Sequence, residues 1–153
     1  MTLRSYQKGD CPALAELFHQ TVHRVNAAHY TPEQLAAWAP GSVDLSAWEA
    51  SFLAHETLIA QEAGVIWGFG DLGEGGYLDR LYVRWDRQGQ GVATALCDAL
   101  EARARRAGNG SVRTDASITA KPFFRTRGYR VVRRQQVERR GVALTNFRME
   151  KTL

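Results

Sequence analysis

Apolar residues recur along the chain with two different periods, which separate helices from strands. From Leu14 to Val25 they return every three or four residues, the pattern of an amphipathic helix. Between Thr57 and Val83 they form short runs broken by glycine, which indicates strands and tight turns. After Gly91 the helical period returns and lasts to Ala107. The chain therefore alternates between helical and extended sections.

Turn and capping residues set the expected bounds of these elements. Asp10 is placed to cap the first helix and Pro12 fits its first turn, while Thr31 and Gln34 form a capping pair for the second. The predicted strands are 3–6, 57–62, 65–71, 77–83, 111–115, 129–137 and 142–149. The predicted helices are 10–25, 31–38, 44–53, 91–107 and 118–127. This order predicts an α/β (α+β) fold with a mixed, mostly antiparallel sheet, parallel where the helix after Gly91 crosses over.

A glycine-rich corner joins the predicted strand 77–83 to the helix that follows. It reads Gln88-Gly89-Gln90-Gly91-Val92-Ala93. Gly89 and Gly91 let the backbone turn tightly and approach a ligand closely. The first amides of a helix have no internal partner, and the helix dipole favours an anion there. The corner is therefore predicted to hold the phosphates of a cofactor.

Two other phosphate-binding motifs do not match this corner. A P-loop needs Gly-Lys followed by Ser or Thr, but Val92 follows Gly91. A dinucleotide fingerprint needs a third glycine, where Thr94 stands, and an early position in the chain.

Composition limits the class of protein. The 153 residues, 44% hydrophobic and 24% charged, predict one globular domain spanning 1–153. No stretch has the length of a membrane span and none resembles a secretory signal, so a cytoplasmic protein is expected. Cys11 and Cys97 fall in apolar helical patterns, which favours two buried free thiols.

The net charge of +4 comes from arginines concentrated in the C-terminal half. Such an excess is the footprint of some nucleic-acid-binding proteins. Here the arginines are scattered over several elements, and no nucleic-acid module is present. Solvated faces, with a few arginines near an anionic cofactor, are the favoured interpretation, and nucleic acid is not expected as a partner.

Two motifs together resemble the GNAT superfamily of acyl-CoA-dependent N-acetyltransferases, and the likeness covers nearly the whole chain. One is the corner Gln88 to Ala93; the other is Ala120-Lys121-Pro122-Phe123-Phe124-Arg125-Thr126-Arg127-Gly128-Tyr129. The segment from Val25 to Pro40 resembles a subgroup of small bacterial members. The resemblance implies a sheet of six to seven strands with a parallel, splayed pair at the CoA site. It also implies acetyl-CoA as cofactor and a possible homodimer.

The resemblance further implies which residues contact the cofactor. The loop amides would hold the pyrophosphate, and the backbone of the preceding strand would pair with the pantetheine arm. The Val83 amide is the expected donor to the thioester oxygen. Core packing is an equally open interpretation for Phe123 and Phe124. The full expected set is Leu81, Tyr82, Val83, Gln88, Gly89, Gln90, Gly91, Val92, Ala93, Thr94, Ser117, Phe123 and Phe124.

The catalytic acid and base are less closely specified. Asp79 is the candidate base, because the family often has a carboxylate near this position, and strand alternation predicts one face for Asp79, Leu81 and Val83. Pairing with Arg80 or Arg84 is the alternative role for Asp79. Glu62 and Asp71 are weaker candidates for the base.

Phe124 stands where many relatives have a tyrosine. Because phenylalanine has no hydroxyl, this residue cannot donate a proton. Tyr129, Tyr82, Tyr77 or water remain as proton donors, with a buried structural role favoured for Tyr129. The missing hydroxyl also keeps open a second class of function, a non-catalytic acyl-CoA-binding domain.

The expected acceptor is a primary amine of a small molecule or peptide. His29, Tyr30, Trp38, Trp48 and Trp67 are candidates to line its pocket, with core packing favoured for the tryptophans. His19 and His23 have metal-ligand spacing, but no third ligand is apparent, so no metal is predicted.

Overall fold

Seven strands form one sheet in the order β1-β2-β3-β4-β5-β7-β6. The computed structural model describes all 153 residues. The strands are β1 Thr2–Ser5, β2 Glu56–Glu62, β3 Val65–Gly73, β4 Tyr77–Val83, β5 Ser111–Ser117, β6 Arg130–Arg139 and β7 Val142–Thr152. The helices are α1 Cys11–Arg24, α2 Pro32–Trp38, α3 Leu45–Ala54, α4 Val92–Arg106 and α5 Lys121–Thr126. The predicted order of elements is confirmed.

Every neighbouring pair in the sheet is antiparallel except β4 and β5. These two parallel strands pair only at Tyr77–Arg113 and Leu78–Thr114. Beyond Leu78 they are no longer hydrogen-bonded, so the sheet is open at the carboxyl ends of both strands. The predicted mixed, mostly antiparallel sheet with one splayed parallel pair is confirmed.

The helices cover both faces of the sheet and enclose two apolar cores. On one face, α4 and α5 pack on the sheet through a cluster that includes Leu96, Leu100 and Phe124. On the other face, α1, α2 and α3 enclose a cluster that includes Phe18 and Phe52. Cys97 and Cys11 are buried in the first and second core respectively, as free thiols, which confirms that prediction.

A β-bulge breaks the alternation of β4 at Asp79. Leu72 pairs with Leu78 and Asp71 pairs with Arg80, so Asp79 is the extra residue without a partner on β3. Leu78, Leu81 and Val83 pack toward the α4 core, whereas Tyr82 packs toward the other core. The predicted common face for Asp79, Leu81 and Val83 is therefore wrong, because strict alternation does not hold across a bulge.

Two local predictions are also wrong. Asp10 precedes α1 but makes no side-chain cap, because its carboxylate accepts hydrogen bonds from Arg4 and from the Gln7 amide instead. The helix expected from residue 118 begins at Lys121. The Ile118 amide donates to the Tyr30 hydroxyl, which holds this segment in a turn.

Several arginines of the C-terminal half bind carboxylates within the chain. Arg103 pairs with Glu56, Arg127 with Asp98 and Glu101, and Arg148 with Asp115. This pairing supports the interpretation of these arginines as structural rather than as a nucleic-acid surface. No helix is long and apolar enough to cross a membrane.

A buried charge cluster ties α4 to the second motif. Glu101 is 3% exposed and accepts hydrogen bonds from Arg127, Lys151 and Tyr129. Burial raises the pKa of Glu101, but these three donors outweigh burial and hold it below its ordinary value. The ionised carboxylate therefore stabilises the fold.

We expect Glu101→Gln to lower the free energy of unfolding by about 3 kcal/mol at neutral pH, because it leaves the partly buried Arg127 and Lys151 without their carboxylate. Since the pKa is lower in the folded state, the stabilisation is fully present above the unfolded pKa of about 4.3 and is lost progressively as the pH falls from there through the lower folded-state pKa. Urea unfolding at pH 7 and at a series of pH values below about 4 measures both effects. Glu56→Gln, which breaks an exposed pair with Arg103, is the control and should cost less than about 1 kcal/mol. Equal losses in the two variants would contradict this role of Glu101.

Candidate active site

The opening between β4 and β5 exposes backbone groups of β4. The amides of a strand alternate between its two edges, and that of Arg84 donates to the Trp67 carbonyl on β3. The amides of Val83 and Leu81 therefore point to the other edge, into the opening. An extended ligand arm in the opening would find these groups available for strand-like pairing.

The end of β4 is held in place by two side chains. Gln88 Nε2 donates to the Val83 carbonyl at 2.8 Å, and Thr21 Oγ1 donates to the same oxygen at 3.0 Å. One donor comes from the glycine corner and the other from α1. The position of the Val83 amide is thus fixed relative to both the loop and α1.

The glycine corner has the geometry of an anion site. Gly89 and Gly91 have φ of +69° and +82°, in the left-handed region that favours glycine. Gly91 is the N-cap of α4 and supplies no side chain to cap it. The first amides of this 15-residue helix are therefore free of side-chain partners, and the dipole adds positive potential there.

Arg87 provides an independent test of whether phosphate fits this corner. Its guanidinium stacks on Trp67 at 4.5 Å, and its Nε is buried without a hydrogen-bond partner. Buried donors are normally satisfied, so an orphaned guanidinium nitrogen beside the loop points to an absent acceptor. A phosphorylated ligand fits the residues present.

A first cavity of about 530 Å³ runs from this loop along the opening between β4 and β5. Of the cofactor residues predicted from sequence, all but Gln90 line it. Gln90 is exposed on the loop. Two further lining residues were predicted for other roles, Trp38 for the acceptor pocket and Asp79 as the base. The lining residues that the sequence analysis did not predict are Thr21, Val25, Asn26, Arg87, Thr114, Asp115, Ala116, Thr119 and Ala120.

A second cavity of about 140 Å³ opens on the α2 side of the sheet. It is formed by residues along β4, by the carboxyl end of β5, by Tyr30 and Trp38, and by the β6–β7 hairpin. Five residues line both cavities: Trp38, Asp79, Tyr82, Asp115 and Ser117. The two cavities therefore meet at the opening of the sheet.

Asp79 lies at this meeting point with its side chain 36% exposed. Its Oδ2 is 3.6 Å from Arg80 Nη2, a contact looser than a hydrogen bond. Burial, and next the nearby Asp71, raise the pKa of Asp79, while Arg80 opposes them. Asp79 is thus a carboxylate with a free face toward the cavity and more basic than an ordinary aspartate.

Asp71 and His55 lie close to Asp79. Asp71 is fully buried and accepts hydrogen bonds from His55 Nδ1 at 2.7 Å and from Arg80. Nitrogen and oxygen atoms of His55, Asp71 and Asp79 lie within 4.8 Å of one another, a spacing that could hold a metal ion. However, the Arg80 guanidinium already supplies a positive charge to both carboxylates. Asp71 is buried and fully engaged, and Glu62 pairs with the N-terminus, so neither weaker candidate base reaches the opening.

Asp115 is the charged residue of the site that sequence reasoning missed. Its carboxylate accepts hydrogen bonds from Arg148, Tyr77 and Gln135, which together outweigh burial and hold its pKa below the ordinary value. It lies near the carboxyl end of β5, next to the opening. The sequence contained one signal that could have identified Asp115: it is a polar residue near the carboxyl end of a strand that runs parallel to β4.

The three tyrosines considered as acids lie in different places. Tyr129 is 2% exposed, donates to Glu101 and packs on Phe124, so the structure does not bring it to the opening. Tyr77 lines the second cavity but donates to Asp115. Tyr82 lines both cavities, and burial raises its pKa, so it keeps its proton.

Of the residues predicted to line the acceptor pocket, two line the second cavity and the others lie elsewhere. Trp38 and Tyr30 line the second cavity. Trp48 packs on Phe18. His29 contacts Thr119, Trp67 stacks with Arg87, and neither of them lines either cavity.

Comparison with known proteins identifies the family to which this chain belongs. The family model described as an acetyltransferase (GNAT) domain matches residues 26–151, so the chain belongs to the GNAT acetyltransferase family. The predicted cofactor, acetyl-CoA, is the one this family uses. The fold and the family inferred from the two motifs are thereby confirmed.

Individual relatives agree with this assignment. The chain is 36% identical over 147 residues to the uncharacterised N-acetyltransferase YafP of Escherichia coli K12, covering 96% of this chain and 93% of YafP. It superposes on a GCN5-related N-acetyltransferase from Rhodopseudomonas palustris with a TM-score of 0.96 and 37% identity, over 99% and 95% of the two chains. A putative acetyltransferase, yncA of Salmonella typhimurium, solved with its cofactor acetyl-CoA, shares the fold at a TM-score of 0.74 and 24% identity, over 100% and 94% of the chains.

Proposed function

We propose that the protein transfers an acetyl group from acetyl-CoA to a primary amine of a small molecule or peptide, by direct attack within a ternary complex. The observation that carries this proposal is the meeting of the two cavities at the opening between β4 and β5, with Asp79 lining both. An acyl donor in the first cavity and an amine in the second would face each other there. Holding two reactants in this way accelerates a bimolecular reaction strongly.

Acetyl-CoA supplies the activated acetyl group when it is bound. The loop Gln88–Ala93 and Arg87 would hold its phosphates, and the amides of Leu81 and Val83 would pair with its extended arm. The Val83 amide points into the opening and would donate to the acyl oxygen as charge develops there. Gln88 and Thr21 fix that amide through the Val83 carbonyl.

Asp79 is the proposed base. It accepts a proton from the attacking amine as the new nitrogen–carbon bond forms and the carbon–sulfur bond breaks. Its raised pKa makes it a better proton acceptor than an ordinary aspartate. The bulge leaves Asp79 without a partner on β3, and the Asp79 side chain lines both cavities.

Tyr82 is the best-placed of the candidate proton donors to the leaving sulfur. It lines both cavities, whereas Tyr129 is committed to Glu101 and Tyr77 to Asp115. Water is the other donor, because a thiolate with a pKa near that of cysteine leaves without an acid. Phe124 packs in the α4 core and takes no part in proton transfer.

Amine-dependent release of CoA tests this proposal against a non-catalytic acyl-CoA-binding role. We expect purified protein with acetyl-CoA to release free thiol faster when a suitable amine from a panel of amino acids, polyamines and N-terminal peptides is added. A thiol reagent measures the rate, and mass spectrometry identifies the acetylated product. If acetyl-CoA binds by calorimetry but no amine in the panel is acetylated, the binding role is the better account.

A further inference from the structure

An arginine without a carboxylate partner lines the second cavity. Arg139, the last residue of β6, makes one side-chain hydrogen bond, from Nη1 to the carbonyl of the adjacent Glu138. No carboxylate lies within 4.0 Å of its guanidinium, unlike those of Arg148 and Arg127. Arg139 is exposed, so its remaining donors are open to solvent and to a ligand in the cavity.

The opposite charge in the same cavity comes from Asp79. The second carboxylate of the cavity, Asp115, is already neutralised by Arg148 and satisfied by Tyr77 and Gln135. Asn146 also lines the cavity; its Oδ1 accepts from Gln135, while its Nδ2 makes no hydrogen bond within the chain. The cavity thus has one free acidic group and free donors, led by Arg139.

The size and the remaining walls of the cavity point to a small ligand. Its volume of about 140 Å³ is similar to that of a protein cavity that holds one benzene molecule, about 150 Å³. Trp38, Val137 and Leu144 supply apolar wall. A compact molecule with a short apolar part fits these walls.

We propose that the acceptor is a small amino acid-like zwitterion, whose amine meets Asp79 and whose carboxylate binds Arg139 with help from Asn146. This inference rests on the proposed function, since it concerns the acceptor of the same reaction. A guanidinium binds a carboxylate through two parallel charge-assisted hydrogen bonds, so it selects for that group in both charge and shape. A peptide N-terminus has no carboxylate near its amine and would not use Arg139.

The test compares amino acids with their carboxamides, which keep size and amine but lose the negative charge. Initial rates of CoA release are measured for leucine, methionine and phenylalanine, and for the amide of each, with wild type, Arg139→Gln and Arg134→Gln. Arg134 is an exposed arginine on the same strand that lines neither cavity, which makes it the matched control. Calorimetry of acetyl-CoA binding checks that each variant retains its fold and its first cavity.

We expect wild type to favour at least one amino acid over its amide by about 10- to 100-fold in kcat/KM. Arg139→Gln should remove that preference by lowering the rate with the amino acid alone, and Arg134→Gln should keep it. Equal use of acids and amides by wild type, or an equal loss of both in Arg139→Gln, would overturn the assignment of Arg139 while leaving the acetyltransferase intact. Turnover of peptide or polyamine amines alone would likewise overturn it, whereas no acetylation of any amine would reject the proposed function itself.

Discussion

Gly91→Leu is expected to weaken acetyl-CoA binding by more than about 100-fold, as measured by isothermal titration calorimetry. Gly91 has a φ of +82° and is the N-cap of α4, at the point where we propose that the backbone approaches phosphate. No atom of the chain lies within 4 Å of a Cβ built there, so the leucine side chain would enter the open space in front of the helix amides. The left-handed conformation adds a cost of about 1–2 kcal/mol for a residue with a Cβ.

Gly64→Leu separates the loss of binding from the loss of stability. Gly64, in the turn between β2 and β3, has a φ of +79° and equally has no neighbour within 4 Å of a built Cβ. Both variants therefore carry the same backbone strain, but only Gly91 borders the first cavity. Equal affinities for acetyl-CoA in the two variants would contradict the role of the glycine corner.

Asp79→Asn is expected to lower kcat by at least about 100-fold, because general base catalysis contributes about 10²–10⁴ to a rate. The KM for acetyl-CoA should stay nearly unchanged, since Asn preserves the shape of the side chain at the meeting of the cavities. Asp98→Asn, which alters an exposed ion pair on α4, is the control and should keep full activity. An unchanged kcat in Asp79→Asn would remove Asp79 from the mechanism.

The pH dependence gives Asp79 a second, independent signature. In the proposed mechanism the ionised carboxylate is the active form, so kcat/KM should fall as the pH drops through the pKa of Asp79 in the free protein. Burial and Asp71 raise that pKa, which places the fall above the ordinary range of an aspartate. Asp79→Asn should abolish this acidic limb, whereas Asp98→Asn should retain it.

The fold was largely predictable because its signals are local. Periodicity, the Thr31–Gln34 capping box and the turn glycines each act within a few residues, and each appears in the structure. Asp10 failed as a cap because Arg4, on β1, competes for its carboxylate. That competition depends on where β1 lies, which the capping pattern does not contain.

The site was predictable only where a motif describes it. The glycine corner identified the first cavity, because one continuous segment supplies the amides that are proposed to bind an anion there. The second cavity assembles Trp38, Asp115 and Arg139 from α2, β5 and β6, which no single segment encodes. The bulge at Asp79 was missed for a similar reason: it follows from how β3 pairs with β4, not from the residues of β4 alone.

A crystal structure with acetyl-CoA bound tests the central claim most directly, since that claim is the meeting of the two cavities at the opening between β4 and β5. The account predicts the pyrophosphate on the Gln88–Ala93 amides, the thioester oxygen on the Val83 amide, and the acyl carbon facing the second cavity beside Asp79. Acetyl-CoA bound elsewhere, or bound with its acyl group turned away from Asp79, would contradict it.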